Sequence, residues 1–369
     1  MRIIPFLSLE AQHTAIRADL DQVWRRVLQA NNFILGTEVQ AFEQAFASYH
    51  QVPYSIGVGN GLDAIYLCLR AGNIGQGDEV LVPSHTCYAT WLAVMRTGAL
   101  PVPVEVDDTY TMDPSRLEEK ISQQTKAVIP VHLYGYPCDM PRIMEIAHRH
   151  SLWVVEDNAQ AHGASIQQRK TGSWGHANAT SFYPTKNLGA LGDGGAVTTT
   201  LEEVNSFLRQ GRNYGAIQKD IHVTEGLNTR LDELQAAVLR VKLQKLDEWN
   251  EERQKLAQLY HENLSGIKEI TLPPKADAFR KPVYHLFVIQ ANRRDELQMF
   301  LRNQGVSTSI HYPVANHLQK SCAVLQLPKG SLPIAERLAQ TVISLPLYPG
   351  LSSSDVHYIT DQVSAFYKE

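Results

Sequence analysis

Lys186 lies in the run Ser181-Phe182-Tyr183-Pro184-Thr185-Lys186-Asn187-Leu188-Gly189-Ala190-Leu191-Gly192-Asp193-Gly194-Gly195, flanked by small, turn-forming residues. Upstream, Asp157 closes the apolar run Leu152-Trp153-Val154-Val155-Glu156, as a carboxylate does at the mouth of a buried parallel strand. A single lysine is most often a solvated charge, and a single aspartate a helix cap. Together they suit pyridoxal phosphate: the lysine forms the Schiff base and the aspartate partners the pyridinium nitrogen. Gln160, three residues on, is within reach of a ring hydroxyl if the segment turns helically. Gly59-Asn60-Gly61 falls between a predicted strand and a predicted helix, where exposed helix amides hold phosphate, and Ser181 adds a hydroxyl. The stretch does not have dinucleotide-fingerprint spacing, which removes the oxidoreductase reading. In Gly226-Leu227-Asn228-Thr229-Arg230-Leu231-Asp232, the bland reading is a helix start capped by Thr229; the sharper one has Asn228 and Arg230 reaching a phosphate. His311-Tyr312-Pro313, followed by His317, does not match metal spacing and reads as a turn or as a sugar- or phosphate-binding loop.

These residues need a scaffold that gathers strand ends. Over residues 13–245, apolar runs of strand length alternate with amphipathic helical stretches, the pattern of an α/β domain with a mainly parallel sheet. Polar and glycine residues collect after Ser55–Val58, Glu79–Pro83, Lys126–Val131 and Trp153–Val155, at the carboxyl edge where such sheets bind ligands. From Leu231 the spacing of Leu234, Val238, Val241, Leu246, Trp249, Leu256 and Leu259 predicts one long helix into a second domain. There, strands over Tyr284–Ile289 and Val306–Ile310 enclose a helix over Glu296–Leu301. The expected division is a large domain of residues 13–245 and a small α+β domain of residues 246–369, joined by the N-terminal segment 1–12.

Composition sets the outer bounds. A chain of 369 residues with 34 basic and 38 acidic side chains, net charge −4, has no general attraction for nucleic acid or an anionic membrane. Cys68, Cys87, Cys138 and Cys322 lack paired spacing, which argues against a disulfide framework or zinc site and points to a reducing cytoplasm. The N-terminal Ile3-Ile4-Pro5-Phe6-Leu7 is too short for a signal sequence or membrane span.

Taken in order, IPFLSLEAQ (4–12), FILGTEVQAFE (33–43), IGVGNGLDA (56–64), VVEDNAQAHGA (154–164), SFYPTKNLGALGDGGAV (181–197), NYG (213–215), GLNTRLDELQAA (226–237) and YHLFVI (284–289) resemble the DegT/DnrJ/StrS family of sugar-nucleotide aminotransferases. GVGNGLDA, IHYP and LPLYPG look most like the subgroup that aminates carbon 3 of dTDP-3-keto-6-deoxyhexoses. The resemblance implies a pyridoxal-phosphate enzyme of fold type I, with Lys186 as Schiff-base residue and proton shuttle and Asp157 as pyridinium partner. It places Gln160 on the ring hydroxyl, and Asn60, Gly61 and Ser181 on the phosphate. Asn228 would reach the phosphate from a second subunit, so a homodimer is expected. Tyr183, Lys219, His311 and Tyr312 would face the sugar nucleotide. Where the family usually has an aromatic after Thr86, this chain has Cys87-Tyr88: either Cys87 lies over the ring with little stacking surface, or the backbone shifts and Tyr88, taken as the cofactor contact, supplies it. Asn158 also departs from the family's usual small residue. The implied reaction is ping-pong transfer of an amino group from L-glutamate to the keto-sugar, for surface polysaccharide or glycoside assembly. The rivals are 4-amination of a UDP- or dTDP-4-keto sugar, the dehydratase branch, which carries histidine where Lys186 stands, and a non-catalytic cofactor-binding regulator.

Overall fold

A computed structural model describes residues 2–368. Its main sheet has seven strands: β1 (Tyr54–Val58), β2 (Glu79–Pro83), β3 (Leu100–Val104), β4 (Thr125–Val128), β5 (Trp153–Asp157), β6 (Ala177–Ser181) and β7 (Gly195–Thr199). They lie in the order β1-β7-β6-β5-β4-β2-β3. β3, β2, β4, β5 and β6 pair in parallel, and β7 runs antiparallel between β6 and β1. The carboxyl ends of β1 and β6 therefore meet the amino end of β7 on one edge, with Val58 and Ser181 both opposite Gly195.

Strands buried on both faces have to be apolar almost throughout, and Val80, Leu81, Val82, Val154, Val155 and Val197 are fully buried. Helix α1 (Gly61–Ala71) crosses one face, presenting Ala64, Ile65, Cys68 and Leu69 to the core at helical spacing. Helix α2 (Tyr88–Arg96) does the same with Thr90, Trp91, Ala93 and Val94.

The long helix expected from Leu231 is two helices, α3 (Glu233–Leu243) and α4 (Leu246–Leu264). α3 and the first residue of α4 serve one core, and the rest of α4 serves a second. Leu239 and Leu246 pack with Phe42, Phe46 and Phe182, whereas Leu256, Ala257 and Tyr260 pack with Phe287, Ile343 and Val356 in a second core that also takes Ile4. A break at Gln244-Lys245 redirects the chain between the two helices. The second core covers a three-stranded sheet of Ile270–Thr271, Phe287–Ala291 and Val342–Leu345. The expected strand over Val306–Ile310 is reduced to single bridges, Val306 to Ile4 and Ser309 to Ser344, because its two ends pair with different segments. Tyr284 and His285 precede their strand, which starts at Phe287. No helix among the described residues is long and apolar enough to cross a membrane.

Candidate active site

Three glycine- and serine-bearing segments converge where β1, β7 and β6 meet. Asn60 caps α1: its Oδ1 accepts the Asp63 amide at 2.8 Å and its Nδ2 donates to Asp63 Oδ2 at 3.0 Å. Its side chain is thus committed to organising the helix N-terminus, whose free amides carry the positive end of the helix dipole. Glycines keep this corner clear. A Cβ on Gly61 would stand 2.6 Å from Ser181 Cβ, and one on Gly195 would stand 2.6 Å from the Asn60 carbonyl. The loop 226–231 is tied to the same corner by Thr229, whose Oγ1 accepts the Gly59 amide at 3.0 Å. This corrects the reading of Thr229 as a helix cap; Asp232 stands at the cap of α3. Arg230 is held in its own loop, donating to Asn213 at 2.8 Å and lying over the Tyr214 ring.

Asp157 ends β5 and is 4% exposed. Its Oδ1 accepts the Ala159 amide at 3.1 Å and its Oδ2 the Thr90 hydroxyl at 2.9 Å. Burial pushes its carboxyl up from the ordinary range, against the pull of those two hydrogen bonds and of Lys186. Lys186 sits in the turn after β6, its amide bonded to the Tyr183 carbonyl at 2.9 Å. Burial lowers the pKa of its ammonium, while the Cys87 sulfur and Asp157 pull the other way. A desolvated amine of this kind is a better base and nucleophile at neutral pH than a surface lysine. Its loop is anchored on both sides. Asn187 donates to Asn250 at 2.9 Å and to the Val283 carbonyl at 3.1 Å, and faces His285 Nδ1 at 3.2 Å; Lys242 donates to the Gly189 carbonyl at 2.8 Å.

Across from the sheet edge, the 311–312 segment is bonded to the main sheet's loops. Tyr134 donates its hydroxyl to the His311 carbonyl. His85 Nε2 lies 2.7 Å from the same hydroxyl, so the proton of the His85 ring is on Nε2. Gln160 accepts the Tyr134 amide on Oε1 at 2.7 Å and donates from Nε2 to the Tyr312 hydroxyl at 3.2 Å, which leaves one amide hydrogen for a ligand. His311 Nδ1 is 2.8 Å from Ser344 Oγ. Burial lowers the pKa of His85 and His311 to about 4, with Lys186 adding to the second. The same two causes lower that of His162 to about 3. The lysine is therefore ringed by uncharged imidazoles. Of Cys87 and Tyr88, it is Cys87 whose sulfur faces Tyr312 and Lys186. Tyr88 is the first residue of α2 and packs against the main core. Tyr88, expected as the cofactor contact, stands half-buried in the first turn of α2, one residue beyond Cys87.

Tyr183, Lys219 and Asn228 are all exposed, Tyr183 at 53%. Lys219 stands in the turn of the hairpin formed by Ala216–Gln218 and Ile221–His222. In the single chain these three lie outside the buried cluster. The residues that sequence reasoning missed are Thr90, Tyr134, His162, Asn187 and His285. Thr90 alone carried a readable signal: it lies one turn after Cys87, on the face of α2 that Cys87 opens.

Pyridoxal phosphate fits this donor set on its chemistry. There is a glycine-cleared helix N-terminus for a phosphate, a buried carboxylate with only uncharged hydrogen-bond donors for a ring cation, and a desolvated amine for an aldehyde carbon. Strand order and site together define a pyridoxal-phosphate-dependent aminotransferase of fold type I. The chain belongs to the DegT/DnrJ/EryC1/StrS aminotransferase family, whose model matches residues 14–364. It is 50% identical over 98% of its length, and 99% of the relative's, to the erythromycin biosynthesis sensory transduction protein EryC1 of Saccharopolyspora erythraea. It is 48% identical to the dTDP-3-amino-3,4,6-trideoxy-alpha-D-glucose transaminase of Streptomyces venezuelae, covering 98% of this chain and 95% of that one. Among solved structures, S. venezuelae DesV in complex with a ketimine intermediate superposes with a TM-score of 0.97 at 47% identity, over the full length of both chains.

Proposed function

We propose that the protein transfers an amino group from L-glutamate to carbon 3 of a dTDP-3-keto-6-deoxyhexose, giving a dTDP-3-amino-3,6-dideoxyhexose. The observation that carries this reading is the half-buried Lys186, its pKa lowered by desolvation, with the buried Asp157 and a glycine-cleared helix N-terminus, in a chain nearly half identical to a transaminase named for a dTDP-3-amino sugar. Bound pyridoxal phosphate supplies a carbonyl carbon for the amine and a ring that accepts electrons from the reacting carbon. The chain does the rest. Lys186, with its lowered pKa, would take the proton from the donor's α-carbon and return it to the carbonyl-derived carbon on the far side of the nitrogen, and in the reverse half-reaction would serve the sugar carbon in the same way. Asp157 keeps the ring nitrogen protonated. Gln160 gives its remaining amide hydrogen to the ring hydroxyl, and Asn60's cap, Gly61 and Ser181 receive the phosphate. His311 and Tyr312 stand on the sugar side with neutral side chains, and Tyr183 and Lys219 meet the nucleotide part.

The working unit in this reading is a homodimer in the cytoplasm. Asn228 is exposed in its own chain, and the hairpin beside it turns Tyr214, Ile217, Ile221 and Val223 outward. A second copy covering this face would bring Asn228 to the partner's phosphate. A purely regulatory binder, as the wording of one relative's name suggests, would also use Lys186 to hold the cofactor, and turnover with a keto-sugar is what separates that role from catalysis.

The test is to supply L-glutamate and, separately, the gluco and galacto epimers of dTDP-3-keto-6-deoxyhexose, their 4-deoxy counterpart, and a UDP- or dTDP-4-keto sugar. Products are then read by mass spectrometry and NMR. A 3-amino sugar from one of the 3-keto substrates is expected. Amination of the 4-keto sugar alone would overturn the position assigned, and a better donor than glutamate would replace that part of the reading.

A further inference from the structure

Asp157 is buried, yet neither donor that reaches its oxygens carries a charge: Ala159 gives a backbone amide and Thr90 a hydroxyl. A buried carboxylate with so few donors is drawn toward its protonated form, and a protonated Asp157 could not hold a positive ring nitrogen. We propose that Thr90 is the positioning residue that keeps Asp157 a carboxylate and aims it at the cofactor's ring nitrogen. The inference rests on the cofactor assignment above.

The geometry around Thr90 is built for this. Thr90 lies in the first turn of α2, three residues after Cys87, so one helix end supplies both the sulfur facing Lys186 and the hydroxyl on Asp157. That turn is fixed from two sides: Trp91 donates its indole N–H to the Pro83 carbonyl at 2.9 Å, and Asn316 donates to the Thr86 carbonyl at 3.0 Å. Thr90 has one proton, and it goes to Asp157. The Thr86 hydroxyl, 3.3 Å from Thr90 Oγ1, is then left to donate to Thr90, so two hydroxyl dipoles point in series at the carboxylate and reinforce each other. A hydrogen bond to a charged group is strong enough to decide the protonation of a buried acid. The titratable groups that face Asp157 are Lys186 from the turn after β6, His132 from the loop after β4, Cys68 on α1 and Tyr312 from the second core's side.

The experiment compares Thr90→Val, which keeps the shape and loses the donor, with Thr90→Ser, which keeps the donor. The Asp157 carboxyl is titrated by carbon-13 NMR in the apoenzyme, its signal assigned by Asp157→Asn, and the apoenzyme is titrated with pyridoxal phosphate to obtain a dissociation constant. Thr90→Val is expected to raise the carboxyl midpoint by about one pH unit or more, weaken cofactor binding at least about tenfold and lower kcat more than it raises KM. Thr90→Ser stays near wild type in all three. Thr90→Ala, which asks less of the packing, replaces the valine variant if that one does not fold. An unchanged carboxyl midpoint in a folded Thr90→Val or Thr90→Ala protein overturns the proposal, as does a serine variant that loses as much as the valine one. A wild-type protein that binds no pyridoxal phosphate would sink the cofactor assignment instead, while the carboxyl titration still judges Thr90.

Discussion

The two sides of the site are built differently. On the sheet side, Ser181 and Gly195 stand on hydrogen-bonded strand ends with Gly61 opening α1 beside them, Asp157 is buried and doubly bonded, and the Lys186 loop is anchored through Asn187 and Gly189. On the open side, Tyr183 at the start of the Lys186 turn, Asn228 in the loop that Thr229 ties to Gly59, and Lys219 in a short hairpin are all exposed to solvent. A reacting atom has to be held within a fraction of an ångström, and packed strand ends can do that. A nucleotide tail of variable shape needs reach more than rigidity, which exposed loops provide. Substitutions on the sheet side should therefore change chemistry and cofactor binding, and those of Tyr183 and Lys219 on the open side should change substrate affinity alone.

The sharpest way to break this division is Lys186→Ala. Turnover should fall by at least about 10³-fold, because the base and the covalent attachment point go together. The variant should still bind pyridoxal phosphate, since the Asp157 carboxylate and the phosphate corner are untouched. Steady-state kinetics and cofactor content after desalting check both halves, and substantial residual turnover would remove Lys186 from its role. Gly61→Ala comes next. Its new methyl, at the capped start of α1, would meet Ser181 Cβ at 2.6 Å on the end of β6, so neither side can yield cheaply. Overpacking of this kind costs about 1–3 kcal/mol. Thermal unfolding should register that loss, and cofactor affinity should fall about 10- to 100-fold; an unchanged dissociation constant would mean the phosphate is held elsewhere.

The sheet side was largely legible in the sequence because its signals are local. An apolar run ending in Asp157, and a lysine inside a small-residue turn, announce themselves without knowledge of the fold. Thr90 was not legible as a partner of Asp157, because that bond joins residues 67 positions apart in sequence and exists only once β5 and α2 are neighbours. The single helix expected from Leu231 failed for a related reason. Hydrophobic spacing records that residues are buried, not against which core, and the core changes along α4 between Leu246 and Leu256, just past the break at Gln244-Lys245. Choosing between Cys87 and Tyr88 likewise required the start of α2, which helical periodicity locates only to within a residue or two.

The next effect is smaller and comes from the imidazoles. His50 and His85 are buried and their pKa values are lowered to about 4, chiefly by burial, from an unfolded value near 6.5. Between those values the unfolded chain binds more protons than the folded one, so stability is full above about pH 6.5 and declines as pH falls toward 4. Each such histidine adds about 1.4 kcal/mol per pH unit to the slope within that window. Urea unfolding at pH 7, 6 and 5 measures the slope. Replacing His85 by Gln should flatten it by one proton, and an unaltered slope would mean that His85 is charged in the folded state.

Lys219→Ala should give the smallest effect, and it tests the open side. Lys219 stands exposed at a hairpin turn, so little of the fold depends on it and stability should stay within about 0.5 kcal/mol of wild type. If it meets the charged part of the sugar nucleotide, its removal should raise KM for that substrate a few-fold, leaving kcat and the reaction with the amino donor unchanged. An exposed ion pair is screened by salt over about 10 Å at 0.1 M ionic strength. The KM difference between wild type and variant should therefore shrink as salt is raised. A defect that persists at high salt, or that appears in kcat, would show that the hairpin shapes the reacting centre and that the two sides of the site are not separable.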